Sequence, residues 1–152
     1  MRVKTSAVIL PFALVLASCG YNRIQTMDEQ ANAARSQIEV QLQRRADLIP
    51  NLVSTVKGYA AHEDEIFTKV AEARSALLNA VQSHDPEQMA AANQQTTSAL
   101  GRLLAISENY PQLKADQSFI RLQDELTGTE NRIAVARSDY NQTAQQYNAF
   151  IR

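Results

Sequence analysis

The sequence predicts an all-α fold, an antiparallel up-and-down four-helix bundle with long first and last helices, on three observations. Only four Gly and four Pro occur in 152 residues, too few for the turns of a sandwich, a barrel or a doubly wound sheet. From Ile24 onward apolar residues recur at steps of three and four, the period of a helix with one buried stripe. The stripes are separated by short connections, which place successive helices antiparallel. A composition of 45% hydrophobic and 20% charged residues is a globular balance. A net charge of −1 gives no electrostatic basis for nucleic-acid binding. A single Cys excludes an internal disulfide framework and a zinc ribbon.

The first element is an address. Arg2 and Lys4 precede an almost wholly apolar run from Ser6 to Ala17, followed by Leu16-Ala17-Ser18-Cys19. About twelve apolar residues are too few to span a bilayer, for which roughly twenty are needed, so an export signal is expected over residues 1–18. The segment resembles a bacterial lipoprotein signal, which implies lipidation of Cys19, a short tether over 19–26 and a helical domain over 27–152. Two or three acyl chains make such an anchor effectively permanent. Loss of Arg2 and Lys4 leaves the mature chain mildly acidic. Gly20 stands where lipoproteins retained in the inner membrane usually carry Asp, so the expected location is the outer membrane, facing the periplasm.

The first helix is outlined by Ile24, Met27, Ala31, Ala34, Ile38, Leu42, Leu48, Leu52, Val56 and Tyr59. Pro50 lies within it and is expected to kink or briefly break it. The second follows Ile66, Val70, Ala73, Leu77 and Val81, with Glu63, Asp64 and Glu65 suited to the positive end of the macrodipole. Asp85-Pro86 supplies an N-cap and a first-turn proline for the third, whose seam is Met89, Ala92, Thr96, Ala99, Leu103, Ile106 and Tyr110. It stops at Tyr110-Pro111. The last carries an unbroken seam of Phe119, Leu122, Leu126, Thr129, Ile133, Ala136, Tyr140, Thr143, Tyr147 and Phe150, more than four heptads that only lengthwise packing explains. Helices of about 34, 21, 23 and 38 residues make a rod, the longest about 57 Å at 1.5 Å per residue.

One stretch breaks the apolar pattern. Gln41, Arg44, Arg45 and Asp47 fall where the first seam turns polar, and buried polar groups must be paired. Glu130, Arg137, Asn141 and Asn148 on the last helix are the candidate counterparts, and a charge-assisted Arg45–Glu130 pair suits an antiparallel arrangement. Either these groups lock helices together, or they line a groove for a protein or peptide partner.

Several stretches in order are similar to the LemA family. They are Gln41-Leu42-Gln43-Arg44-Arg45-Ala46-Asp47-Leu48-Ile49-Pro50-Asn51-Leu52-Val53, then Leu100-Gly101-Arg102-Leu103-Leu104, Glu108-Asn109-Tyr110-Pro111-Gln112-Leu113, Leu122 to Arg137, and the pairs Tyr140-Asn141 and Tyr147-Asn148. The resemblance covers about Ile38 to Ile151. It implies a membrane-associated bacterial protein whose antiparallel helical bundle lies outside the lipid, and it brings no activity or catalytic residues. Members commonly begin with an uncleaved membrane helix where this chain has a lipobox, and their pattern continues into a proline-containing tail.

The residues themselves offer no catalytic constellation. Tyr59 and Val81 precede His62 and His84 by three positions, so neither His belongs to a Glu-x-x-His di-iron motif. There is no Gly-rich phosphate loop and no Gly-x-Ser-x-Gly. No metal and no cofactor are expected. The sequence therefore favours a lipid-tethered, monomeric, non-enzymatic binding or scaffold module with an envelope protein partner. The alternative is an envelope enzyme with a site between helices.

Overall fold

The computed structural model describes the backbone from Ser6 and the side chains from Asn22 to Arg152. The export signal and Cys19 lie outside these described side chains. Four long helices, α1 (Ser6–Lys57), α2 (Asp64–Ser83), α3 (Pro86–Ala105) and α5 (Gln117–Ile151), are joined by short connections. The last of these connections holds a 3-10 turn, Ile106–Glu108, and a single helical turn, α4 (Pro111–Lys114). Residues Asn22–Thr26, expected as part of a tether, are already helical in α1.

The register of the long pair can be followed contact by contact. Arg23 lies over the Phe150 ring at 5.2 Å, Arg132 Nε donates to Gln41 Oε1 at 3.1 Å, and Tyr59 Oη donates to the Asp116 carboxylate at 2.8 Å. As α1 ascends, its partners on α5 descend, which is antiparallel packing from Arg23 to Tyr59. The α2–α3 hairpin covers only part of this pair. Its tip, where His84 adopts a left-handed conformation at φ 56°, reaches the level of Glu39, whose carboxylate accepts from or pairs with His84 Nδ1 at 2.9 Å. Beyond that level α1 and α5 continue as two helices.

Seam burial follows this geometry. Phe119, Leu126, Thr129, Ile133 and Ala136 of α5 are buried, Tyr140, Thr143 and Tyr147 are half-buried, and Phe150 is exposed. In α2 and α3 the expected stripes are the buried or half-buried ones, with Phe67, Ala80, Asn93 and Leu100 added to them. In α1 the stripe differs. Arg45, Ala46 and Ile49 are buried where Leu48 was expected, and Leu48 is half-buried. Tyr59 is 41% exposed and serves as a hydrogen-bond donor across the end of the bundle rather than as core.

Helix ends are set by local chemistry. Asp85 Oδ1 accepts from the backbone N–H groups of Glu87 and Gln88, and its other oxygen accepts from Gln88 Nε2 at 2.9 Å, satisfying donors that the first turn leaves free. Asp116 does the same for Ser118 and Phe119 at the start of α5.

Pro50 does not take the chain out of the helix, so the brief break does not occur. A proline cannot donate to the carbonyl four residues earlier, here that of Ala46. Arg74 Nε of α2 supplies the missing donor to Ala46 O at 2.9 Å. Among the described residues no helix is long and apolar enough to cross a membrane.

Candidate functional site

The core is divided in two. One cluster gathers Ile49, Leu52, Val56, Phe67, Val70, Leu103, Leu113, Phe119 and Leu126. The other gathers Ile38, Leu42, Ala46, Leu77, Met89, Ala92 and Ile133. Between them lie the buried polar residues Arg45, Asn93, Thr96 and Thr129. All four long helices enter this layer.

Arg45 stands at its centre, 2% exposed. One terminal nitrogen donates to Asn93 Oδ1 of α3 at 2.7 Å, and the other lies 3.5 Å from Glu130 Oε2 of α5. Glu130 Oε1 accepts from Thr97 Oγ1 at 3.1 Å. Thr96 Oγ1 bonds within its own helix, to Ala92 O at 2.8 Å, and reaches Ala73 O of α2 at 3.4 Å. Burial pushes the Arg45 guanidinium below its ordinary pKa, and the Glu130 charge partly opposes that. Arg45 Nε has no partner. Satisfied on two sides, this cation links α1, α3 and α5 at one level.

The other residues singled out by sequence go elsewhere. Gln41 holds Arg132 on the outer face between α1 and α5. Asp47 accepts from Gln43 one turn away at 3.0 Å. Arg44 and Asn148 are exposed, outside the polar layer. Arg137 and Asn141 line a groove of about 480 Å³ beside the tip of the α2–α3 hairpin, bounded also by Asp85, Glu87, Asn93 and Tyr140 over a floor that includes Ile38, Met89 and Ile133. Sequence reasoning missed Asn93 and Arg74. The first sits beside Ala92 on a seam already known to be helical, so a polar residue at that position was a readable signal. The second is visible only once Pro50 is placed against α2.

The groove can bind but has little to react with. Its carboxylates are Asp85, engaged as a cap and held below its ordinary pKa chiefly by the Glu87 N–H, and Glu87. Among the described residues no group of three or more His, Cys, Asp or Glu side chains can hold a metal ion. At the far end of the bundle the Tyr59 phenol is pushed above its ordinary pKa by its bond to Asp116. That pair closes the bundle end.

Comparison with known proteins agrees with the motifs. The chain is 32% identical to magnetosome protein MamQ 2 of Paramagnetospirillum magneticum over 174 aligned positions, covering 99% of this chain and 63% of that protein. It is 30% identical to magnetosome protein MamQ of Magnetospirillum gryphiswaldense, over 86% of this chain and 57% of the relative. Protein LemA of Metamycoplasma hominis is 27% identical over 86% of the chain and 58% of its own length. The chain thus spans less than two thirds of the length of the curated relatives it matches. The LemA family model matches residues 34–152, which takes in the stretch around Pro50, the polar layer and the groove, and the chain belongs to the LemA family.

Proposed function

We propose that this LemA-type protein is a non-enzymatic binding module, anchored in the bacterial envelope by lipid on Cys19 and presenting a helical surface to an envelope protein. The observation that carries the reading is the division of labour among its polar groups. Arg45, Glu130, Thr97 and Arg74 are spent holding helices together, whereas Arg137 and Asn141 gather in one groove on that rigid frame. Rigid elements carrying a few oriented polar groups over an apolar floor suit recognition.

The tether rests on the sole Cys of the chain, placed directly after an apolar run and small residues. Arg23 of α1 meets Phe150 at the end of α5, so a membrane attachment on the residues before Arg23 turns the α2–α3 tip towards the lipid, spaced from it by the two-helix part of α1 and α5, and leaves the Tyr59–Asp116 end of the bundle projecting outward. Metabolic labelling with a fatty acid should mark the wild-type protein and not Cys19→Ser, which should also be released from membranes or stall in processing. An unlabelled wild type removes the anchor. Fractionation to the inner membrane removes the outer-membrane assignment that rests on Gly20. Crosslinking in intact membranes should return a stoichiometric partner, and recovery of the chain alone overturns the binding reading.

A further inference from the structure

We propose that the end of the rod carrying Arg23, Phe150, Ile151 and Arg152 is a membrane-contact surface seated in the phospholipid headgroup layer, with Phe150 and Ile151 entering it and the two arginines meeting lipid phosphates. Resting on the anchor at Cys19, this surface is a second point of attachment, on α5. Distance argues for it first. Helix α1 runs without interruption from Ser6 to Lys57, so Cys19 and Arg23 are four residues apart on one helix, about 6 Å along its axis. The headgroup layer on each side of a bilayer is about 5–7 Å thick, half the difference between total and hydrocarbon thickness. Lipid on Cys19 therefore holds the level of Arg23 at that layer. The Arg23 guanidinium lies over the Phe150 ring at 5.2 Å, which brings the last turn of α5 to the same level. Because α5 descends as α1 ascends, Ile151 and Arg152 stand no further from the lipid than Phe150.

The side chains at that level suit an interface with lipid. Phe150 is 41% exposed and Ile151 50%, next to each other on the closing turn of α5. Tyr59, exposed to the same degree at the opposite end, has a polar partner in Asp116. Phe150 and Ile151 are wholly apolar, and the α2–α3 hairpin that could have covered them ends at the level of Glu39. An aromatic ring and an aliphatic chain flanked by arginines settle at a membrane boundary, the apolar groups toward the acyl chains and the cations on phosphate. Charge is ordered the same way. From Asn22 to Met27 the only charged side chain of α1 is that of Arg23, and from Tyr140 onward the only one of α5 is that of Arg152. Carboxylates begin with Asp28 and Glu29, more than one turn further from the anchor, and with Asp139 on α5. Phosphate thus meets cations ahead of any acidic side chain. A second copy standing beside the first on the same membrane would bring like cations together at this level, which disfavours it as the occupant.

The chain contains no Trp, so a single introduced tryptophan reports its own surroundings. The full protein purified from membranes and carrying Phe150→Trp is placed in vesicles of phosphatidylcholine and phosphatidylglycerol, with and without phosphatidylcholine brominated near the headgroup end of its acyl chains. Brominated lipid should quench the emission at least about twofold, and that of Ile151→Trp likewise, whereas Tyr59→Trp at the far end should keep its full emission. Arg23→Glu with Arg152→Glu should lower the quenching of Phe150→Trp. These positions are exposed, so an unchanged helical circular dichroism spectrum will show that each variant is folded. Quenching at both α5 positions no greater than for Tyr59→Trp overturns the proposal, as does quenching that the paired glutamates leave unchanged. Emission that ignores brominated lipid but shifts to the red when the protein is spread over more vesicles identifies a second copy as the occupant, and overturns it too. If the wild type takes up fatty-acid label and Phe150→Trp is not quenched, the anchor stands and this surface falls. If there is quenching without label, the anchor falls and the membrane contact stands. If there is neither, both fall.

Discussion

At 2% exposure the Arg45 side chain has lost its water, and the groups that replace it decide how the bundle responds to substitution. Asn93 supplies a short neutral acceptor and Glu130 a longer, half-solvated charge. Removing the carboxylate strands a buried cation on one amide. Because Glu130 is 47% exposed, the cost of Glu130→Ala falls below that of a fully buried pair, about 1–3 kcal/mol in urea unfolding. Replacing the demand is a different matter: Arg45→Met with Asn93→Leu should be close to neutral or stabilising, since well-packed apolar residues often match a buried ion pair. A double variant several kcal/mol less stable, beside an unaffected Glu130→Ala, would mean that Arg45 works mainly through shape. The capping carboxyls Asp85 and Asp116 set the acid limit. Backbone N–H groups hold both below the ordinary value of 3.8. A depressed carboxyl stabilises the fold fully above its unfolded value, and that stabilisation is lost as pH falls through the folded one. Thermal melts should therefore be steady above about pH 4 and fall below it, and the fall should be shallower in Asp85→Asn with Asp116→Asn.

Within α1 a single proline sets a requirement that another helix meets. The Ala46 carbonyl loses its donor to Pro50 and gains Arg74 from α2 at 2.9 Å. Arg74→Ala should cost about 1–3 kcal/mol by leaving a buried acceptor unsatisfied. Pro50→Ala supplies the backbone N–H that a helix directs at this carbonyl, so the second substitution should recover stability in the Arg74→Ala background beyond what it adds to the wild type. Strict additivity in that double-mutant cycle would show that the two residues do not share the carbonyl. The same element shows where sequence reading stops. Its stripe was legible from Ile38 to Val56 because apolar spacing is a property of one helix. The substitution of Arg45 and Ile49 for Leu48 was not, because it depends on which helix faces α1 at that level. Asn93 and Glu130 make burial of Arg45 tolerable, and they stand 48 and 85 residues away in sequence. Arg74 opposite Pro50 escaped notice for the same reason.

Over the whole molecule, two lengths that can be read separately in sequence combine into a shape that cannot. Helices of 52 and 35 residues enclose a hairpin of two 20-residue helices, so part of the long pair must lack lateral cover. The heptads of α5 continue to Phe150 without change of pattern, yet burial fades after Ala136, where the α2–α3 tip ends. Periodicity reports which face looks inward and is silent on how many neighbours meet it. The consequence is a gradient of local stability. Around Leu42, Leu52 and Leu103 each helix is enclosed by others, and opening there requires unfolding of the bundle. Between Asn22 and Ala34 the α1 backbone is secured mainly by one facing helix, through half-buried Ile24, Met27 and Ala31 and the Arg23–Phe150 contact. Two-helix contacts bury less apolar area per residue, so that end should open locally at a lower free energy than the enclosed part. Hydrogen exchange followed by mass spectrometry on the mature protein in detergent should show fast exchange over 22–34 and 143–151 and slow exchange over 38–56, 70–80, 92–103 and 119–136. Uniform slow exchange along α1 would contradict the two-helix description, because it requires a further surface covering the seam of Met27, Ala31, Thr143 and Tyr147. Repeating the measurement at tenfold dilution then identifies a second copy as that surface if the protection is lost.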